Sequence, residues 1–90
     1  MKTFNDLKFK THPMGVGIMS RIKFDNGYGA SVVKTPYTYG GEVGLYELAV
    51  LDSNGELTYE TPITDDVLGY LTEQDVTNTL EQIQLLENIK

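Results

Sequence analysis

The side chains in this sequence that could do chemistry are few and scattered. His12 is the only histidine and there is no cysteine, which excludes a metal site built from several imidazoles or thiolates. A nucleophilic triad centred on His12 could draw on Ser20 or Ser31. Neither serine sits in the Gly-x-Ser-x-Gly turn that presents a nucleophile, so a surface histidine is the simpler reading. Asp65 and Asp66 form an adjacent carboxylate pair, yet neighbours on a helix point about 100° apart and do not converge on one cation. Asp52-Ser53-Asn54-Gly55 opens like a calcium loop, but its glycine comes fourth, and that loop needs it sixth. It reads as a hairpin turn. The glycines at 15, 17, 27, 29, 40, 41 and 44 never fall in a GxxxxGK[ST] run or between a strand and a helix, so they cradle no phosphate. No catalytic set, metal or cofactor is expected, and the chain is not expected to be an enzyme.

Charge and tyrosine remain. The net charge is −6, and it is unevenly placed. Residues 1–40 hold Lys2, Lys8, Lys10, Arg21, Lys23 and Lys34 against Asp6 and Asp25, a net +4. Residues 41–90 hold eleven acidic side chains against Lys90 alone, a net −10. Such polarity can steer a partner, although an acidic surface also serves solubility. Lys8, Lys10, Arg21, Lys23 and Lys34 form a modest basic set beside Tyr28. The rest of the chain would repel phosphate, so direct nucleic-acid binding is not expected. The segment Thr35-Pro36-Tyr37-Thr38-Tyr39-Gly40-Gly41-Glu42-Val43-Gly44 has the tyrosine-and-glycine composition of adaptable binding loops. In an extended chain Tyr37 and Tyr39 project to one side. The plain alternative is that the tyrosines fold over the sheet edge while the glycines turn the chain. Tyr37, Tyr39, Glu42, Glu47, Glu56 and Glu60 are the candidate partner-binding residues.

The elements that must carry these residues can be read from periodicity. Ninety residues, 40% hydrophobic and 22% charged, suit one domain over 1–90 that buries roughly 60–65% of its unfolded surface. No apolar run approaches the roughly 18–20 residues of a membrane span. MKTFNDLKFK lacks the apolar core of a signal peptide, so the cytoplasm is expected. The fold class is α+β: a four-stranded, mainly antiparallel sheet of two hairpins, with a C-terminal helix or helix pair packed on one face.

Phe4, Leu7 and Phe9 suggest a short strand that Thr11-His12-Pro13 ends. Over 18–34, a three-residue loop at Asp25-Asn26-Gly27 sets Ile22 opposite Ala30 and Ser20 opposite Val32, which keeps the apolar residues together. Over 45–61, a two-residue loop at Asn54-Gly55 pairs Val50 with Tyr59 and Leu48 with Thr61, leaving Glu47, Glu56 and Glu60 on the other face. Thr64, with Asp65 and Asp66, caps a short helix through Val67, Leu68, Tyr70 and Leu71. Thr72 caps a second helix with Asp75 at its third position, and Val76, Leu80 and Ile83 make its buried stripe, which Leu85, Leu86 and Ile89 extend. The predicted core is Ile22, Phe24, Val32, Leu48, Val50, Tyr59, Leu80 and Ile83.

FDNGYGASVV, YGGEVGLYELAVL and TPITDDVLGYLTEQDV together make the chain resemble small acidic proteins encoded by tailed bacteriophages. The resemblance implies expression in the cytoplasm of an infected bacterium and transfers no catalytic residue. It also implies a function class: a binding protein that inhibits or redirects a bacterial host protein, such as a CRISPR or restriction component. The alternative is a structural or assembly accessory of the phage particle acting through self-association, for which a homodimer is the simplest form.

Overall fold

The computed structural model describes residues 1–63 and 66–87. Five strands, β1 (Lys10–Thr11), β2 (Ile18–Lys23), β3 (Gly29–Lys34), β4 (Tyr46–Leu51) and β5 (Leu68–Leu71), precede one helix, α1 (Glu73–Gln84). The strands form a single sheet in chain order, each antiparallel to the next. The α+β class and the C-terminal helix hold. Among the described residues the sheet has five strands where four were expected, and a single α-helix stands where a pair was allowed.

The β2–β3 hairpin forms in the expected register, Ile22 against Ala30 and Ser20 against Val32. The Phe24 N–H donates to the Tyr28 carbonyl at 2.8 Å and the Gly27 N–H to the Phe24 carbonyl at 3.1 Å, closing the three-residue loop. Helix α1 also starts as expected. The Thr72 hydroxyl accepts from the Asp75 N–H at 3.1 Å, and the Asp75 carboxylate accepts from the Thr72 N–H at 3.0 Å, a reciprocal cap. Val76, Leu80 and Ile83 are fully buried against Ala30, Val32, Leu48 and Val50. Phe4, Phe9 and Tyr46 close one corner of this core with ring centroids 5.2–5.7 Å apart.

Asn26, read as a turn residue, is buried beside the helix. Its Nδ2 donates to the carbonyls of Ile83 (2.8 Å) and Leu86 (3.1 Å), so the hairpin loop caps the helix C-terminus.

Three expectations fail. Phe4–Asp6 is a 3-10 turn and the first strand is Lys10–Thr11, so the strand lies where a break was expected. The turn after β4 holds three residues instead of two. The Asp52 N–H donates to the Glu56 carbonyl at 2.7 Å and the Thr58 N–H to the Val50 carbonyl at 2.9 Å, and Leu51 bridges Leu57. A type I′ turn needs two left-handed residues, but here Gly55 alone has a positive φ, of 79°. The Asp52 carboxylate instead accepts from the N–H groups of Asn54 (2.9 Å) and Glu56 (3.1 Å), which favours the wider loop. That one-residue slip turns the return limb over. Leu57 shares the face of Leu51, and Tyr59, expected in the core, is 46% exposed. Ile22 is only partly buried at the core margin.

The third failure is the helix expected over Val67–Leu71. The return limb leaves β4 after a single bridge, and Leu68–Leu71 pair with the vacated edge as β5. Thr64, Asp65 and Ile89 of the expected helical region lie outside the described residues.

Candidate functional site

The β3–β4 connection over 35–45 and the bulge in β5 build one structure at the same end of the sheet. Between Tyr46↔Leu71 and Leu48↔Leu68 the ladder shifts by one residue, so Gly69 and Tyr70 together oppose Glu47. Tyr70 is the extra residue of this bulge, and its φ of 56° puts a bulky side chain in the left-handed region, a true outlier for its type.

The connection is not extended, as the reading of Tyr37 and Tyr39 supposed. It is a succession of turns, with the Thr38 N–H donating to the Thr35 carbonyl and the Gly41 N–H to the Thr38 carbonyl. Tyr39 anchors it on both sides. Its N–H donates to the Glu47 carboxylate at 2.7 Å, and its carbonyl accepts from the Tyr70 N–H at 3.1 Å. The backbones meet this closely because glycine faces each tyrosine. A Cβ on Gly40 would come within 2.8 Å of the Tyr70 Cα, and one on Gly69 would strike the Tyr39 Cβ.

These packed backbones leave their side chains outside. Tyr37 is 76% exposed, Val43 70%, Tyr70 63% and Tyr39 62%. Tyr39, Glu42, Val43 and Tyr70 line an open pocket of about 250 Å³. Met14 and Val16, also exposed, occupy the β1–β2 turn at the same end of the sheet. Large apolar groups are thus concentrated at this end of the sheet, which makes it the candidate interaction surface.

Of the candidate residues, the fold brings Tyr39, Glu42 and Glu47 together, with Tyr37 in the adjoining turn. Glu47 spends its carboxylate holding the loop. Glu56 and Glu60 are exposed on the limb that leaves the far end of β4, away from this cluster. Tyr70, Val43, Met14 and Val16 were missed in the sequence, and Tyr70 was hidden by its assignment to a helix. Its signal was Gly69-Tyr70, a glycine next to an aromatic residue, a pattern that also fits a strand bulge.

The helix-free face of the sheet is organised by charge. Lys10, Met19, Val33 and Glu47 form one row across it. Arg21, Ser31 and Ala49 form the next. Lys8, Lys10 and Arg21 surround an open pocket of about 510 Å³ whose apolar lining is Phe9, Pro13 and Met19. Lys34 and Tyr28, expected to join this basic set, sit on the helix side, with Lys34 Nζ 4.8 Å from the Tyr46 ring centroid and Tyr28 against the core.

Other chemistry finds little footing. His12 Nδ1 accepts from the Met14 N–H at 3.1 Å and shapes a turn. Asp75 has its carboxyl pKa lowered, first by the Thr72 backbone N–H and then by the Thr72 hydroxyl, as a helix cap requires. Among the described residues no group of three or more histidine or acidic side chains could hold a metal ion, and no helix is long and apolar enough to cross a membrane. No family model, no curated protein and no solved structure matches this chain.

Proposed function

We propose that this chain is a non-enzymatic binding protein that grips another protein with the tyrosine-rich end of its sheet. One observation carries the reading. Tyr70 is held in a strained backbone conformation while most of its ring stays in solvent. Strain at a residue whose side chain gains little burial points to selection for something outside the fold. Tyrosine is the side chain enriched in interface hot spots, because it offers contact area with few rotors to immobilise. Glu42 at the pocket rim suits a partner with a basic residue beside an apolar one.

The partner class we propose is a bacterial host protein, with the chain acting as a phage-encoded inhibitor or redirecting factor in the cytoplasm of an infected cell. The test is capture with the tagged full-length chain from host lysate, followed by titration of the identified protein. The Tyr37→Ala, Tyr39→Ala double variant and Tyr70→Ala alone should each weaken that complex at least about thirtyfold, the lower bound for hot spots, with an unchanged circular dichroism spectrum. Full binding by both variants would refute the reading. The alternative, an assembly accessory of the particle, predicts instead that the chain co-purifies with particles and forms large homo-oligomers.

A further inference from the structure

We propose that Asn54 is a site of spontaneous covalent modification, deamidating in the folded chain while Asn26, its equivalent in sequence, is protected by the fold. Asn26-Gly27 and Asn54-Gly55 are the two Asn-Gly pairs of the chain. A glycine, with no side chain of its own, offers the asparagine before it the least hindered backbone nitrogen. The Gly55 nitrogen gives up its proton to solvent base and bonds to Asn54 Cγ, and the Cγ–Nδ2 bond breaks to release ammonia. Water then opens the five-membered imide. Cleavage of its Cγ–N bond gives aspartate. Cleavage between the nitrogen and the main-chain carbonyl carbon gives isoaspartate, whose main chain runs through Cβ and Cγ. In sum, an amide and a water become a carboxylate and an ammonium ion, and nothing is oxidised or reduced.

Both pairs occupy the same kind of turn. The Phe24 N–H donates to the Tyr28 carbonyl at 2.8 Å in one, and the Asp52 N–H to the Glu56 carbonyl at 2.7 Å in the other. The Gly27 N–H donates to the Phe24 carbonyl at 3.1 Å and the Gly55 N–H to the Asp52 carbonyl at 3.0 Å. The two glycines have φ of 92° and 79°. Each turn must open before its nitrogen can reach Cγ, so the backbone restrains both reactions alike.

The cost of opening is what differs. Asn26 is 8% exposed. Its Nδ2 donates to the Ile83 and Leu86 carbonyls, and its Oδ1 accepts from the Tyr28 N–H at 3.1 Å. Freeing it detaches the helix end from the β2–β3 hairpin beside buried Phe24, an opening that approaches global unfolding. Asn54 is exposed, and among the described residues its side-chain amide has no partner. The contacts that restrain its turn are the Asp52 carboxylate on the Asn54 and Glu56 N–H groups, and Arg21 Nη1 on the Gly55 carbonyl at 3.2 Å. All lie at the surface, where water can replace them. A Cβ built on Gly55 would meet no atom within 4 Å, so solvent has free access. The limb beyond the turn bridges β4 only at Leu51 and Leu57, and the turn opens locally at low cost.

The product sets a carboxylate in the pocket of about 280 Å³ that the turn shares with Arg21 and Lys23, and takes the net charge of −6 one unit further. Isoaspartate also lengthens the main chain by a methylene in the turn that sets Leu57 on the face of Leu51. The change lies at the far end of β4 from the tyrosine cluster and requires no partner.

Incubating the folded full chain at mildly alkaline pH in heavy-oxygen water tests this, with tandem mass spectrometry of its fragments locating the label. Asn54 should convert at least about tenfold faster than Asn26. In strong urea the two pairs should convert at like rates. In urea well below the unfolding midpoint Asn26 should speed up while Asn54 barely changes, because a local opening exposes little new surface. Equal rates in the folded chain, or an Asn54 that converts only in strong urea, would overturn the proposal. So would an Asn54 rate that climbs with urea as steeply as that of Asn26.

Discussion

Replacing Tyr70 separates backbone strain from side-chain contact. Holding an L-residue in the left-handed region costs about 1–2 kcal/mol, because Cβ crowds the following carbonyl. Glycine removes that cost but loses about 0.5–1 kcal/mol of backbone entropy on folding relative to alanine. Tyr70→Ala keeps the Cβ and its strain, so the ring cancels when the two variants are compared with each other. With φ at 56°, Tyr70→Gly should be more stable than Tyr70→Ala by about 0.5–1 kcal/mol, the difference of those two effects. At an ordinary strand position the order is the reverse, by a similar amount.

For a domain of this size the difference corresponds to roughly 2–8 °C in melting temperature, readable by thermal or urea melts followed by circular dichroism. A glycine variant no more stable than the alanine variant would refute the claim that Tyr70 is strained. Both variants lack the ring, so both should lose partner binding. Relief of strain in the glycine variant, with binding lost in both, is the expected mark of a residue kept for function.

Three further outcomes test the frame that holds the site. Leu80→Ala should cost about 2–5 kcal/mol in denaturant melts, since Leu80 is wholly buried between helix and sheet; a loss under about 0.5 kcal/mol would mean the helix is not docked there. Asn26→Ala should cost about 1–3 kcal/mol by leaving the Ile83 and Leu86 carbonyls without their donor, whereas a turn residue of no other consequence would cost far less. Asp75 has a folded pKa below its usual 3.8. Its contribution is therefore complete above that value and is lost as pH falls through the lower folded one. Melts between about pH 5 and about pH 2 should show a smaller acid-induced loss for Asp75→Asn than for wild type, and equal losses would deny the cap its electrostatic share.

Local signals were readable in the residues alone. The β2–β3 register followed from keeping Ile22, Phe24 and Val32 together, and the paired residues are only a dozen or so apart, so few competing pairings exist. The start of α1 followed from Thr72 and Asp75, which satisfy one another within a single turn, and its buried stripe from the spacing of Val76, Leu80 and Ile83. The charge split was legible too, although its spatial meaning waited on the strand order.

What depended on distant parts of the chain was not legible. Val67–Leu71 has no local preference strong enough to choose between helix and strand, and the choice went to whichever segment could fill the edge of β4. Asp52 decided the β4 turn through two hydrogen bonds, and because side chains alternate along a strand, that one-residue difference moved Leu57 and Tyr59 out of the core. The tyrosine site lay furthest from view. It exists because Tyr39 and Tyr70, thirty-one residues apart in sequence, meet backbone to backbone, and a contact of that kind is made by the fold as a whole, with no trace in the spacing of either segment.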